Sequence, residues 1–310
     1  MIRNKTKANK TNGLEKSDKT RVLFVLSFFL PILIWGGVFF FGVNIEGFKM
    51  AFQKEIAGGG TVWSFENFTR IFTEGFSGSS AVFTEGIRNS LLFFGLSNFI
   101  MMPICVLVAY FLSKKIFGHK VFRVILYLPN ILPGLIIATI FRYVTAPDGA
   151  GVIASICYKY GWNWPNLFGD SRYAIWALLF YSFWTGFGAG FLLYYTAMKR
   201  ITTEIIESAE LDGVKWYQEI IYIDVPMIWP TVAMTILTTL PTVLMSSGAV
   251  LLFTQGQYGT QTLAYWLFDQ VRSKSNMNYS AAVSLFFSTI TLPLMFISKW
   301  LMDKVPDVQY

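Results

Sequence analysis

Six predominantly apolar stretches, each long enough to cross a lipid bilayer, limit what this chain of 310 residues can become. Val22 to Val43 carries no charge over 22 residues and is interrupted by Pro31 and the Gly36-Gly37 pair. Comparable runs follow at Asn89 to Leu112, Val121 to Phe141, Tyr173 to Met198, Met227 to Phe253 and Ala281 to Met302. About 20 residues of helix span the hydrocarbon core, where every backbone polar group has to be satisfied internally. The pattern predicts an all-α polytopic membrane protein with six transmembrane helices. Pro230, Pro241 and Pro293 interrupt the last two runs and are expected to kink them, because neighbouring helices can satisfy the freed carbonyls. The first run exceeds a signal-peptide core and no small-residue cleavage site follows it, which argues for a span rather than a leader.

Charged residues make up 14% of the chain, against about 25% in soluble domains. The net charge of +7 is concentrated in a tail, residues 1–21, where seven Lys and Arg face Glu15 and Asp18. A nucleic-acid partner is not expected, because such binding needs a basic folded face. Lys and Arg flank spans on the cytoplasmic side. The tail, together with Lys114, Lys115, Lys120 and Arg123 between the second and third runs, therefore places both termini in the cytoplasm. Ala57 to Phe65 and Pro147 to Asp170 become outer loops.

The runs hold no Asp, Glu or His, and Arg88, Arg142 and Lys299 sit at their ends, where they can snorkel to the interface. A proton- or ion-coupled carrier usually places a carboxylate inside the membrane, so the energy for any transport is expected from elsewhere. No phosphate-binding loop is present, and Gly186 and Gly190 have the small-x-x-x-small spacing of close helix packing. One histidine, His119, and two separated cysteines, Cys105 and Cys157, make neither a catalytic constellation nor a metal site, and no cofactor is expected.

Between the fourth and fifth runs, 199–226 is polar, helically patterned and acidic, with Glu204, Glu207, Glu210, Asp212, Glu219 and Asp224. Thr202 or Thr203 can cap a helix, Glu204 suits its first turn, and Gly213 can end it in the left-handed region. Val214, Tyr217, Ile220 and Ile221 then restart helical spacing. Two short helices meeting at a sharp turn are predicted. Such an elbow either docks a partner or lies as an amphipathic pair on the inner membrane face.

Here the chain resembles a known family. Glu207-Ser208-Ala209-Glu210-Leu211-Asp212-Gly213, followed by Ile223-Asp224-Val225-Pro226 and Pro230, is similar to the E-A-A-x-x-D-G…I-x-L-P-x-x-x-P signature of permease subunits in bacterial ATP-binding-cassette importers. The spacing is that of the carbohydrate branch, of maltose and glycerol-phosphate type. Arg88-Asn89-Ser90, Phe122-Arg123 through Leu128-Pro129, and Tyr279-Ser280-Ala281-Ala282-Val283-Ser284 extend the resemblance. Ser208 and Val225 are mild departures, and Thr254-Gln255-Gly256-Gln257-Tyr258 stands where T-x-G-G-P is common.

The resemblance implies a type I importer permease domain at 22–310 with 199–226 as its cytoplasmic coupling loop. Its implied partners are a second permease subunit, two cytoplasmic ATPase subunits, an extracytoplasmic solute-binding protein, a carbohydrate and membrane lipid. Glu207 would meet a cation on the ATPase, small Ser208 and Ala209 would allow close approach, and Gly213 would set the elbow angle. Glu210, Asp212 and Lys215 complete the coupling set. For the solute, Asn98, Ser246 and Ser247 offer hydrogen bonds and Tyr181 and Trp184 a stacking face, although bonding between helices accounts for the same residues. The competing function is a secondary carrier or channel for a neutral solute, working alone.

Overall fold

A computed structural model describes residues 21–56, 60–76, 81–147, 149–244, 247–273 and 276–305. The basic tail at 1–20, the Gly58-Gly59 part of the first loop and Ser246 lie outside the described residues.

Four helices are continuous and apolar enough to cross a membrane: Arg21–Ala51, Phe83–Ser113, Ala174–Met198 and Met277–Met302. Two further spans are bent pairs, which brings the total to six when each pair counts as one. The third run, expected as one helix, breaks by 104° between His119–Ile131 and Gly134–Val144. Pro133 disfavours helical geometry at Leu132, which is extended at φ −75°, ψ 142°, and Pro133 itself has ψ 135°. Two consecutive extended residues end one helix and aim the next elsewhere. Trp216–Met227 and Trp229–Thr239 meet at 72° across Ile228, with Pro230 in the first turn rather than at an internal kink. Pro241 opens a 3-10 turn, Pro241–Leu244, before a short helix at Gly248–Phe253. Pro293 lies within an unbroken helix.

The fourth span is the core of the bundle, and its glycines make it so. A Cβ on Gly190 would lie 2.9 Å from Cys105 Sγ and one on Gly186 3.3 Å from Met101 Sδ, both on the second span. On Gly188 it would lie 3.0 Å from the Leu126 carbonyl oxygen of the third. The fourth span therefore touches a neighbour on two sides, as the glycine spacing predicted. Gly190→Val should cost about 1–3 kcal/mol through overpacking, read as a lowered thermal midpoint in detergent, whereas Gly95→Ala, with open space around it, should be neutral.

Among the described residues three clusters fill the bundle, one of them, with Phe83, Leu263, Trp266, Tyr279 and Val283, joining the second span to the last. Toward the elbow, Cys105, Tyr110, Phe191, Tyr194, Ile220 and Val232 pack together. Toward the other face, Phe93, Ile137, Phe141, Leu178, Tyr181 and Phe253 do so. The first span contributes to none of the three, and none of its most apolar window is buried.

On the face opposite the elbow, strands Gln53–Ile56 and Gly60–Trp63 pair antiparallel where only a loop was expected. The stretch after Thr254–Tyr258, from Gly259 to Leu263, folds back on the second span. Asn89 Nδ2 donates to the carbonyls of Gly259 (3.0 Å) and Gln261 (2.8 Å), and Leu263 N–H donates to Ser90 Oγ at 3.0 Å. A helix not foreseen from sequence, Leu263–Ser273, follows.

Candidate functional site

The elbow forms as two helices around one glycine. Thr203–Leu211 starts at Thr202, which is extended but makes no side-chain capping bond, and Glu204 occupies the first turn. At the far end, Gly213 takes φ +71°. Its N–H reaches the Glu210 carbonyl at 3.1 Å, and Val214 N–H reaches that of Ala209 at 3.1 Å. This paired closure satisfies the orphan carbonyls of the last turn and requires a left-handed residue. The second helix begins at Trp216, with Lys215 N–H donating to Gln218 Oε1 at 3.0 Å.

Glu204, Glu207, Ser208 and Leu211 share the outward face at helical spacing. Asp212, Gly213 and Lys215 are exposed beside them. Ala209, between Ser208 and Leu211 on the same helix, is 6% exposed and buried against the protein itself. Leu211, which the motif carries without a role, is 89% exposed at the tip, a large apolar side chain among carboxylates.

What holds the elbow was also missed. Glu219 is 5% exposed. Its Oε2 accepts from Tyr110 Oη at 2.8 Å, and its Oε1 lies 2.7 Å from Lys114 Nζ. Lys114 also reaches Glu210 Oε1 at 3.4 Å, and Lys199 Nζ donates to the Ser113 carbonyl at 2.9 Å. Partial burial opposes charge on Lys114, but the hydrogen bonds and negative charges of Glu219 and Glu210 outweigh it and raise its pKa. Trp216 packs on Phe111, with ring centroids 5.7 Å apart. Both elbow helices are thereby fastened to the end of the second span. The available signal was an acid embedded in the apolar pattern Tyr217, Ile220 and Ile221.

The four described residues expected at the solute, Asn98, Tyr181, Trp184 and Ser247, do not border one common cavity. Asn98 is buried, donating to Phe94 O and accepting from Thr239 Oγ1 at 2.8 Å, a bond between the second and fifth spans. Tyr181 is buried among Phe141 and Phe253. Trp184 opens onto an apolar cavity of about 650 Å³ shared with Trp176 and Phe180. Ser247 precedes the helix Gly248–Phe253 without capping it through its side chain, and Ser246 lies outside the described residues. Arg142, expected to snorkel, instead donates through Nη2 to the carbonyls of Leu252 (3.0 Å) and Phe253 (3.1 Å), tying the third span to the fifth.

Residues 101–306, which contain the elbow and the four spans around it, match the family described as the binding-protein-dependent transport system inner membrane component. The chain belongs to this family. The permease is 22% identical over 280 residues to the arabinooligosaccharides transport system permease protein AraP of Bacillus subtilis, covering 89% of this chain and 86% of that protein. It is 24% identical to the lactose transport system permease protein LacF of Rhizobium radiobacter, over 70% of this chain and 74% of that one. Its fold matches a chain in a crystal structure of a bacterial alginate transporter bound to an alginate-carrying periplasmic protein. The TM-score is 0.81 at 22% identity, covering 93% of this permease and 97% of that chain. The permease is thus a multi-pass membrane component of a transport system that depends on a binding protein, and it is a transport subunit rather than an enzyme.

Proposed function

We propose that this permease carries a sugar or oligosaccharide through the membrane of an ATP-driven importer, using the elbow to receive force from a separate ATPase. The observation that carries this reading is mechanical. The elbow's base is clamped to the second span through Glu219, Lys114 and Tyr110, while Glu207, Ser208 and Leu211 stand free at its tip. A lever needs that combination of a stiff root and an open end. The elbow faces the cytoplasm in this reading, with both termini on the same side, and a second permease subunit completes the path. Rigid-body rotation of the attached spans would alternate access to the solute. The carbohydrate assignment draws on the relatives that carry arabinooligosaccharides and lactose.

In a pull-down with the ATPase, Glu207→Lys should weaken capture by reversing a charge, and Leu211→Asp more strongly by removing the apolar anchor. Undiminished binding by both variants would remove the docking role. The broader test is uptake of radiolabelled lactose and arabinotriose into proteoliposomes. ATP-dependent uptake that requires the ATPase and the binding protein is the expected result. Uptake by this chain alone on an ion gradient would establish a secondary carrier instead.

A further inference from the structure

The last span, Met277–Met302, places Ser284, Ser288 and Thr291 at i, i+4 and i+7, along one face. That face lines a cavity of about 430 Å³ together with Pro241, Leu267 and Met295. The volume lies in the range of small-molecule sites, about 300–1,000 Å³. Pro241 heads the 3-10 turn that interrupts the fifth span, so the cavity sits where a membrane helix is broken. Irregular backbone at membrane depth is tolerated where it is buried in protein or lines a hydrated space.

Most hydroxyls in these spans are occupied by a carbonyl one turn back. Ser280 donates to Asn276 O at 2.9 Å, Thr289 to Leu285 O at 2.8 Å and Thr235 to Thr231 O at 2.9 Å. Ser284, Ser288 and Thr291 make no such bond among the described residues, and all three border the same cavity. Hydroxyls without partners are costly against hydrocarbon. Elsewhere around the same helix stand Phe296 and Ile297, exposed apolar side chains suited to lipid. The span therefore turns its three unpartnered hydroxyls, with Leu292 and Met295 beside them, onto the cavity at the break in the fifth span.

We infer that Ser284, Ser288 and Thr291 line the solute path and hydrogen-bond a neutral, polyhydroxylated solute as it passes the Pro241 break. Among the described residues no charged side chain borders the cavity, so these residues offer nothing to pair with an ionic group. Several weak, similar contacts in a row suit a solute rich in hydroxyls that has to leave as readily as it enters. The solute class rests on the carbohydrate reading above, whereas the placement of the three hydroxyls in a mainly apolar lining does not.

The test is cysteine accessibility in the assembled importer in proteoliposomes, after Cys105→Ala and Cys157→Ser. S284C, S288C and T291C should lose their free thiol to a charged methanethiosulfonate reagent in the nucleotide-free or the ATP-bound state. F296C and I297C should react only with membrane-soluble N-phenylmaleimide. Lactose or arabinotriose should protect the three thiols. If all three behave like F296C in both states, the lining is overturned. If they label but neither sugar protects them, the lining stands and the carbohydrate class is overturned. Loss of ATP-driven uptake in the unmodified importer is read separately and bears on the transport reading alone.

Discussion

Gly213→Val is expected to lower ATP-driven uptake by about tenfold or more while the protein still inserts into membranes at normal levels. The glycine has φ +71°, and nothing lies within 4 Å of where its Cβ would be, so the penalty comes from backbone conformation and not from crowding. A non-glycine residue held in the left-handed region costs about 1–3 kcal/mol, with β-branched side chains worst placed. The chain avoids that cost by opening the paired bonds from Gly213 to Glu210 and from Val214 to Ala209, which changes the angle between the elbow helices. Asparagine enters the left-handed region more easily, so Gly213→Asn should retain most uptake. The decisive measurement is uptake set against ATP hydrolysis in the same vesicles. Persistent hydrolysis with lost uptake identifies a coupling defect, and wild-type uptake by the valine variant would separate the elbow angle from force transmission.

Lys114→Met should be the most destabilising of the substitutions considered. It leaves Glu219, whose side chain is 7% exposed, without its cation and with Tyr110 as its remaining partner. Breaking one side of a buried ion pair costs about 3–5 kcal/mol, because the orphaned charge stays in a poor solvent. Lys114 keeps some contact with water, at 26% exposure, so the lower end of that range applies. The expected signs are a reduced thermal midpoint in detergent, faster proteolysis within 199–226 and loss of uptake. Glu219→Gln in the same chain should recover much of the stability, since a neutral amide can still accept from Tyr110. A Lys114→Met protein as stable as wild type, or a double variant no better than the single one, would show that the clamp is not electrostatic.

Legibility from sequence varied with how local the cause was. The elbow was readable because a capping position, a first-turn acid and a left-handed glycine act within a few residues of one another. The root of the elbow was not, because Tyr110 and Glu219 are 109 positions apart and neither carries a local signature of the bond between them. Lys114 reads in the sequence as one more base at a span end, because nothing near it in the chain marks its pairing with Glu219. Asn98 and Tyr181 were nominated for polarity and aromaticity, but tertiary contacts claimed both. Ser284 stands out in the sequence only as part of a motif, and Ser288 and Thr291 not at all, because serine and threonine in a membrane helix are commonly satisfied by their own backbone. Only the folded chain separates those that are from those that are not.

The amino-acid order by itself determined that this protein lives in a membrane, roughly where its helices run, that the fourth packs closely through glycine, and where the elbow turns. Partition between water and hydrocarbon is summed over neighbouring residues, and backbone preference at a glycine is set within one residue, so both are written locally. The tertiary structure decided the 104° break at Leu132–Pro133, the inward turn of Ala209, the burial of Glu219 and the cavity beside Pro241. Proline marks where a helix can fail, but the direction taken afterwards depends on which distant surfaces become close neighbours. The same holds for a polar side chain, whose partner is chosen by packing rather than by its place in the chain.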